Sequence, residues 1–137
     1  MAVHSFLQYV SGVPPPRVLV VDDEELVRTL VLRWLGKWGH EAVGAPGATE
    51  ALKLMADSPA EIAIVDLMMP GHDGLWLLNE IHQRWPGTVS IVISGAQDEH
   101  LVLGARKLGA VAFVPKPLGR ELLFQALERA FSALSST

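Results

Sequence analysis

Short apolar runs alternate along this chain with stretches in which apolar residues recur every three or four positions. Val18-Leu19-Val20-Val21 is too short for a helix, rich in β-branched residues, and stops at Asp22-Asp23. Leu26, Val27, Leu30, Val31, Trp34, Leu35 and Trp38 then mark the buried face of a helix, with Gly39 as its stop signal. Residues 41–45 read as a weak strand. Residues 48–56 (Ala51, Leu52, Met55) read as a short helix ended by Asp57-Ser58-Pro59. Ile62-Ala63-Ile64-Val65 is a second wholly apolar run and stops at Asp66. Asp73 is the expected cap of a helix carrying Leu75, Leu77, Leu78 and Ile81, closed by Pro86-Gly87. A strand over 89–93 ends at Ser94, a helix over 98–108 ends at Gly109, and Val111-Ala112-Phe113-Val114 runs into Pro115-Lys116-Pro117. Leu122, Leu123, Ala126, Leu127, Ala130 and Phe131 mark the final helix.

This is a strand followed by a helix, five times over. Strands that are apolar throughout, rather than alternating, must be covered on both faces. Alternation of such strands with helices predicts right-handed crossovers and an α/β fold: a parallel sheet between two helical layers. The pattern leaves the strand order open. Residues 1–16 stand apart, with scattered apolar positions and then Pro14-Pro15-Pro16, an extended stretch without backbone donors. They read as a leader or linker, with a short docked helix before the prolines as the alternative, and the domain proper as 17–137. After Leu134 only Ser135-Ser136-Thr137 follow, so no second domain is expected there.

Composition narrows the function. The 137 residues fit one domain, and 50% hydrophobic with 19% charged residues excludes a disordered tail. Eleven Lys and Arg against fifteen Asp and Glu, a net charge of −4, argue against direct nucleic-acid binding. Absence of cysteine excludes disulfides, thiolate metal sites and cysteine catalysis. No apolar run approaches the roughly 18 residues of a membrane helix, and the start lacks a secretory signal, so a cytoplasmic location is expected and no membrane contact.

Ligands of open parallel sheets bind beyond the carboxyl ends of the strands. The residues found there are Asp22 and Asp23, then Asp66, then Ser94, then Lys116. Each alone has a plainer explanation: an aspartate at a strand end is usually a cap or turn residue, and a lysine usually a solvated surface group. Their joint placement at one rim favours a site. Crowded carboxylates need a proton or a cation, and oxygen donors at this density suit a hard ion such as Mg²⁺. Lys116 and Ser94 suit phosphate oxygens, and an aspartate is available as nucleophile. The set describes a place for a phosphoryl group beside Mg²⁺.

With these residues in view, the chain resembles the receiver domain of two-component response regulators from Arg17 to about Leu134. The resemblance is carried by Val20-Val21-Asp22-Asp23-Glu24, by Asp66-Leu67-Met68-Met69-Pro70-Gly71 with Asp73-Gly74, by Ser94, and by Phe113 before Lys116-Pro117. It implies a flavodoxin-like (βα)₅ three-layer sandwich with strand order 2-1-3-4-5. It implies Asp66 as phosphoacceptor from a phosphohistidine, and Mg²⁺ held by Asp23, by Asp22 mainly through water, by Asp66 and by the Met68 backbone carbonyl. It further implies Lys116 and Ser94 on the phosphoryl oxygens, and Ser94 and Phe113 as switch residues, Phe113 lacking the hydroxyl of the tyrosine more usual there. The Lys116-Pro117 bond is expected to be cis. The implied partners are a sensor histidine kinase or histidine phosphotransfer protein, and a downstream protein or domain docking on the fourth helix, fifth strand and last helix. A homodimer on phosphorylation fits the same surface.

Three rivals differ in class. A phosphatase of haloacid-dehalogenase type would carry Asp-x-Asp after its first strand, whereas Asp22 and Asp23 are adjacent. A flavodoxin-like electron carrier would place phosphate where Asp22-Asp23-Glu24 repels it. A docking-only receiver would have lost site residues. The histidines (His4, His40, His72, His82, His100) lack metal-ligand spacing and are read as surface residues; Trp34 and Trp38 as core. Gly71 and Gly74 are read as turn residues, and Gly104 as either a soft point in the fourth helix or a packing glycine.

Overall fold

The strands β1 (Val18–Val21), β2 (Ala42–Ala45), β3 (Ile62–Asp66), β4 (Val89–Ser94) and β5 (Ala110–Pro115) form one parallel sheet in the order β2-β1-β3-β4-β5. The helices between and after them are α1 (Glu25–Lys37), α2 (Ala48–Asp57), α3 (Gly74–Arg84), α4 (Glu99–Lys107) and α5 (Arg120–Ser135). The molecule is a flavodoxin-like α/β fold, as expected. The computed structural model describes residues 14–70, 74–95 and 99–135. Asp73, the expected helix cap, and Gly71 and His72 lie outside them, as do Asp98 and His4.

Strand parity builds two cores. Leu19, Val21, Ala63, Val65 and Val92 face one way, against Ala51 and Met55 of α2 and Leu77, Leu78 and Ile81 of α3. Val18, Val20, Ile62, Ile64, Ile91 and Ile93 face the other, against Val31 and Leu35 of α1 and Leu123, Leu127 and Phe131 of α5. Burial on both faces is why these strands carry no polar alternation. The β4–β5 pairing breaks once. Ser90 pairs with Ala110 but Ile91 pairs with Ala112, so Val111 is an extra residue. That irregularity reverses the parity of β5 and sets Phe113 opposite Val92, on the α4 side of the sheet.

Gly39 ends α1 with φ 90°, and the N–H groups of Gly39 and His40 bond the carbonyls of Gly36 at 3.1 Å and Leu35 at 2.9 Å. This Schellman turn needs the left-handed conformation that glycine supplies. It also turns His40 inward, which corrects its reading as a surface residue. Its ring is 6% exposed, stacks on Phe131 at 5.4 Å and places Nδ1 3.0 Å from the Pro16 carbonyl oxygen. The periodicity of α1 ends before His40, and its two ring partners lie far off in the chain, so no local pattern announces it. His82 and His100 are exposed. Trp38 is buried and stacks on Trp34 at 6.4 Å, in keeping with a core role. A Cβ on Gly104 would meet only Leu75, at 3.6 Å, an ordinary contact, so packing does not demand glycine there.

Burial holds the His40 imidazole below its ordinary pKa, and the Pro16 carbonyl offsets this only in part. The unfolded ring therefore takes a proton at a higher pH than the folded one. Stability from this group is complete above about pH 6.5 and falls as the pH drops through the unfolded and then the folded value. Urea unfolding between pH 7.5 and 5 should lose less stability over that interval in His40→Asn than in the wild type. Equal slopes in both proteins would exclude His40 as the source.

Candidate functional site

Because all five strands run the same way, the carboxyl ends of β1, β3, β4 and β5 meet at one rim. Asp22 follows β1 and is fully buried, Asp66 ends β3 at 2% exposure, and Asp23 is exposed. One carboxylate oxygen from each of Asp22, Asp23 and Asp66 falls within 4.8 Å of the others. Ser94 ends β4, one residue beyond the partner of Asp66, and its carbonyl accepts the Lys116 N–H at 3.0 Å. The Lys116-Pro117 peptide bond is cis.

The loops hold these groups through backbone bonds. Asp22 Oδ1 accepts the Glu24 N–H at 2.9 Å, an Asx-type turn that leads into α1. Asp66 Oδ1 accepts the Met68 N–H at 3.0 Å. The Lys116 ammonium points back into the acids. Its Nζ donates to Glu24 Oε2 at 2.7 Å and to Asp66 Oδ2 at 3.1 Å, and lies 3.0 Å from Asp22 Oδ2. The Asp22 contact falls outside good hydrogen-bond geometry, yet at 3.0 Å it occupies one side of the ammonium and helps to keep it charged.

Electrostatics follow from this crowding. Burial and the Asp22 charge raise the Asp66 carboxyl above its ordinary value, against the pull of the Met68 N–H and Lys116. Burial alone would lower the Lys116 ammonium, but Glu24, Asp22 and Asp66 together outweigh it and hold the group above its ordinary value. Four carboxylates still face one ammonium. The excess negative charge, the convergence of three oxygens and the unsatisfied Asp22 Oδ2 all fit a hard divalent cation with bound water.

Beyond Ser94 lies a cavity of about 190 Å³ walled by Leu67, Val92, Val102 and Phe113. The half-buried Phe113 ring carries the Arg106 guanidinium over it, 5.4 Å from its centroid. All the expected site residues thus come together at this rim or beside it. Three further contacts had no signal in the chain, although Glu24 itself stands in the acidic motif after β1. Glu24 reaches Lys116 across 92 positions. Arg28 donates to the Asp22 carbonyl at 2.8 Å and pins the acidic loop to α1. Arg106 covers Phe113.

Residues 18–128 match the family model described as the response regulator receiver domain. The chain is 36% identical over 115 residues to a putative response regulator NtrX-like of Rickettsia bellii, covering 82% of this chain and 24% of that protein. It is 37% identical over 117 residues to the transcriptional regulatory protein AruR of Pseudomonas aeruginosa, covering 81% and 48%. Among solved structures, the signal receiver domain of an HD domain-containing protein from Pseudomonas fluorescens Pf-5 has a TM-score of 0.84 at 30% identity, covering 89% of this chain and 98% of that one. NtrX from Brucella abortus has a TM-score of 0.82 at 34% identity, covering 88% and 28%. The chain therefore spans between about a quarter and a half of the length of these curated relatives.

Gly74 opens α3 and packs directly behind the end of β3. Its N–H bonds the Leu67 carbonyl at 3.1 Å. A Cβ at this position would overlap the Asp66 carbonyl oxygen and sit 2.5 Å from Leu67 Cα, both backbone atoms with little room to yield. Gly74→Ala should lower the stability measured by urea unfolding by about 1–3 kcal/mol, the usual cost of overpacking. A stability equal to that of the wild type would show that the loop yields freely.

Proposed function

The chain belongs to the response regulator receiver family, a signalling module of two-component systems rather than a catalytic enzyme, and we propose that it takes a phosphoryl group from a phosphohistidine onto Asp66. The observation that carries this reading is the placement of the buried Asp66 carboxylate 3.1 Å from Lys116 Nζ and within 4.8 Å of the Asp22 and Asp23 oxygens. A carboxylate so placed has both a cation and an acidic pair beside it, the surroundings that an incoming phosphoryl group needs.

In the transfer, a carboxylate oxygen of Asp66 forms the new O–P bond as the N–P bond of the donor breaks, its electron pair returning to the imidazole. The resonance-stabilised carboxylate is a weak nucleophile, so positioning and charge do most of the work. Met68 N–H fixes the carboxylate plane through Oδ1. Lys116 supplies positive charge to the phosphoryl oxygens, and Ser94, at the adjacent strand end, donates a hydrogen bond to another. Mg²⁺, held by Asp22, Asp23, Asp66 and the Met68 carbonyl, would when bound neutralise charge on the transferring group.

The output follows from what lies behind Ser94. If Ser94 moves toward the new oxygens, the space beside it can admit the Phe113 ring, which would free Arg106 and alter the surface of α4, β5 and α5. A downstream protein, or a second copy of the chain, would read that surface. The donor would be a sensor histidine kinase or a histidine phosphotransfer protein. The receiver is taken as residues 17–137, with 1–16 as a Pro-rich leader whose last residue, Pro16, is anchored by His40. Among the described residues no helix is long and apolar enough to cross a membrane.

Incubation with acetyl phosphate and Mg²⁺, followed by mass spectrometry of the intact protein, tests the acceptor. The wild type should gain a single phosphate and Asp66→Asn none. A phosphate gained by Asp66→Asn at the wild-type rate would move the acceptor elsewhere.

A further inference from the structure

The reach of Lys116 into the acids includes a partner that neither the metal nor the acceptor role requires. Glu24 follows the two aspartates and sends its side chain away from the first turn of α1, to Lys116, instead of capping the helix. The contact, at 2.7 Å, is the shortest that Lys116 makes. The exposures of the three partners differ sharply. The side chains of Asp22 and Asp66 are 0% and 3% exposed, that of Glu24 58%. A carboxylate already more than half in water loses little by returning to it, whereas a buried one left without its counter-charge is costly.

An ammonium has three donors and no more. Glu24 and Asp66 take two by hydrogen bonds, and Asp22 Oδ2, 3.0 Å away, occupies the third side of the ammonium. A phosphoryl group on Asp66 would bring further oxygens that need a donor from the same ammonium. One present partner must give way, and Glu24 is the one that can leave at least cost. On the reading that Asp66 is the acceptor, we propose that Glu24 is a built-in competitor for Lys116: it occupies, in the unphosphorylated protein, the donor that a phosphoryl oxygen takes over, and thereby restrains how readily the site accepts the group. Glu24 is on this account a positioning residue. It touches neither the phosphoryl group nor the acceptor and acts through the lysine.

Two measurements test it, with Glu24→Gln, Glu24→Asp and, as a control on the neighbouring helix position, Glu25→Gln. The first is made on the metal-free, phosphate-free protein: the ¹⁵N resonance of the Lys116 ammonium in lysine-labelled samples. It should move in both Glu24 variants, since Gln lacks the charge and Asp lacks the reach, and stay in place in Glu25→Gln. An unmoved resonance in the Glu24 variants overturns the proposal. The second is the initial rate of phosphorylation by acetyl phosphate with Mg²⁺. Loss of a half-exposed pair should raise it about two- to five-fold in Glu24→Gln. Glu24→Asp separates competition from simple repulsion of the anionic donor, because it keeps the charge and breaks the contact; it too should be faster than the wild type. An unchanged or lower rate in Glu24→Gln, or a gain in Gln without one in Asp, overturns the competitor role. If the wild type itself gains no phosphate, the acceptor reading fails and the competitor role falls with it. If the wild type gains phosphate and only the Glu24 effect is missing, the acceptor reading stands and the competitor role alone is lost.

Discussion

The Lys116 ammonium lies within 3.1 Å of carboxylate oxygens from Asp22, Glu24 and Asp66, and this contact sets the terms for the rest of the rim. Two unit charges 3 Å apart attract by roughly 5 kcal/mol at an effective dielectric of about 20. Burial of each ion costs several kcal/mol in return. Such a cluster contributes little net stability. It creates a place where negative charge is concentrated, partly answered and unevenly exposed, and an added cation or phosphoryl group can rearrange it at small cost. The same contact opposes the rise in proton affinity that burial and the Asp22 charge impose on Asp66.

The sheet makes that contact unavoidable. Parallel strands deliver β1, β3 and β5 to the same edge, and the Lys116 N–H bond to the Ser94 carbonyl fixes the residue whose ammonium reaches the acids. Ser94 is therefore tied to the backbone of the residue that would hold the phosphoryl group. On its far side it borders the cavity beside Phe113, and the irregularity at Val111 is what points that ring to the α4 side. Chemistry at the rim and the outer surface of α4 and β5 are thus separated by two side chains and one space.

Much of this was legible in the chain, because each strong strand is buried on both faces and ends on a polar residue. Apolar runs located the strands to within a residue or two, and the strand ends located Asp22, Asp23, Asp66, Ser94 and Lys116. The strand order came from the family resemblance, since periodicity carries no information on which strand pairs with which. What stayed hidden shares one physical cause. His40 is fixed by Pro16 and Phe131, Glu24 by Lys116, and Arg106 by Phe113, all partners supplied by other elements of the fold. Hydrophobic spacing reports how a residue sits on its own helix or strand. It does not report a polar partner brought in by tertiary packing, nor a single extra residue such as Val111 that shifts a register.

Replacing the ammonium by a side chain of similar length and no charge tests the central claim most directly. In Lys116→Met, burial and the Asp22 charge act on Asp66 without the opposing lysine, so its folded pKa, already raised, rises further. A carboxyl raised in the folded state contributes stability that is complete below the unfolded value and lost as the pH rises through the folded one. Urea unfolding of Lys116→Met and wild type should be compared at pH 5 and pH 8, without divalent cations. The account predicts that the variant falls short of the wild type by more at pH 8 than at pH 5. An equal shortfall at both values, or none, would contradict the claim that one ammonium holds the acids together.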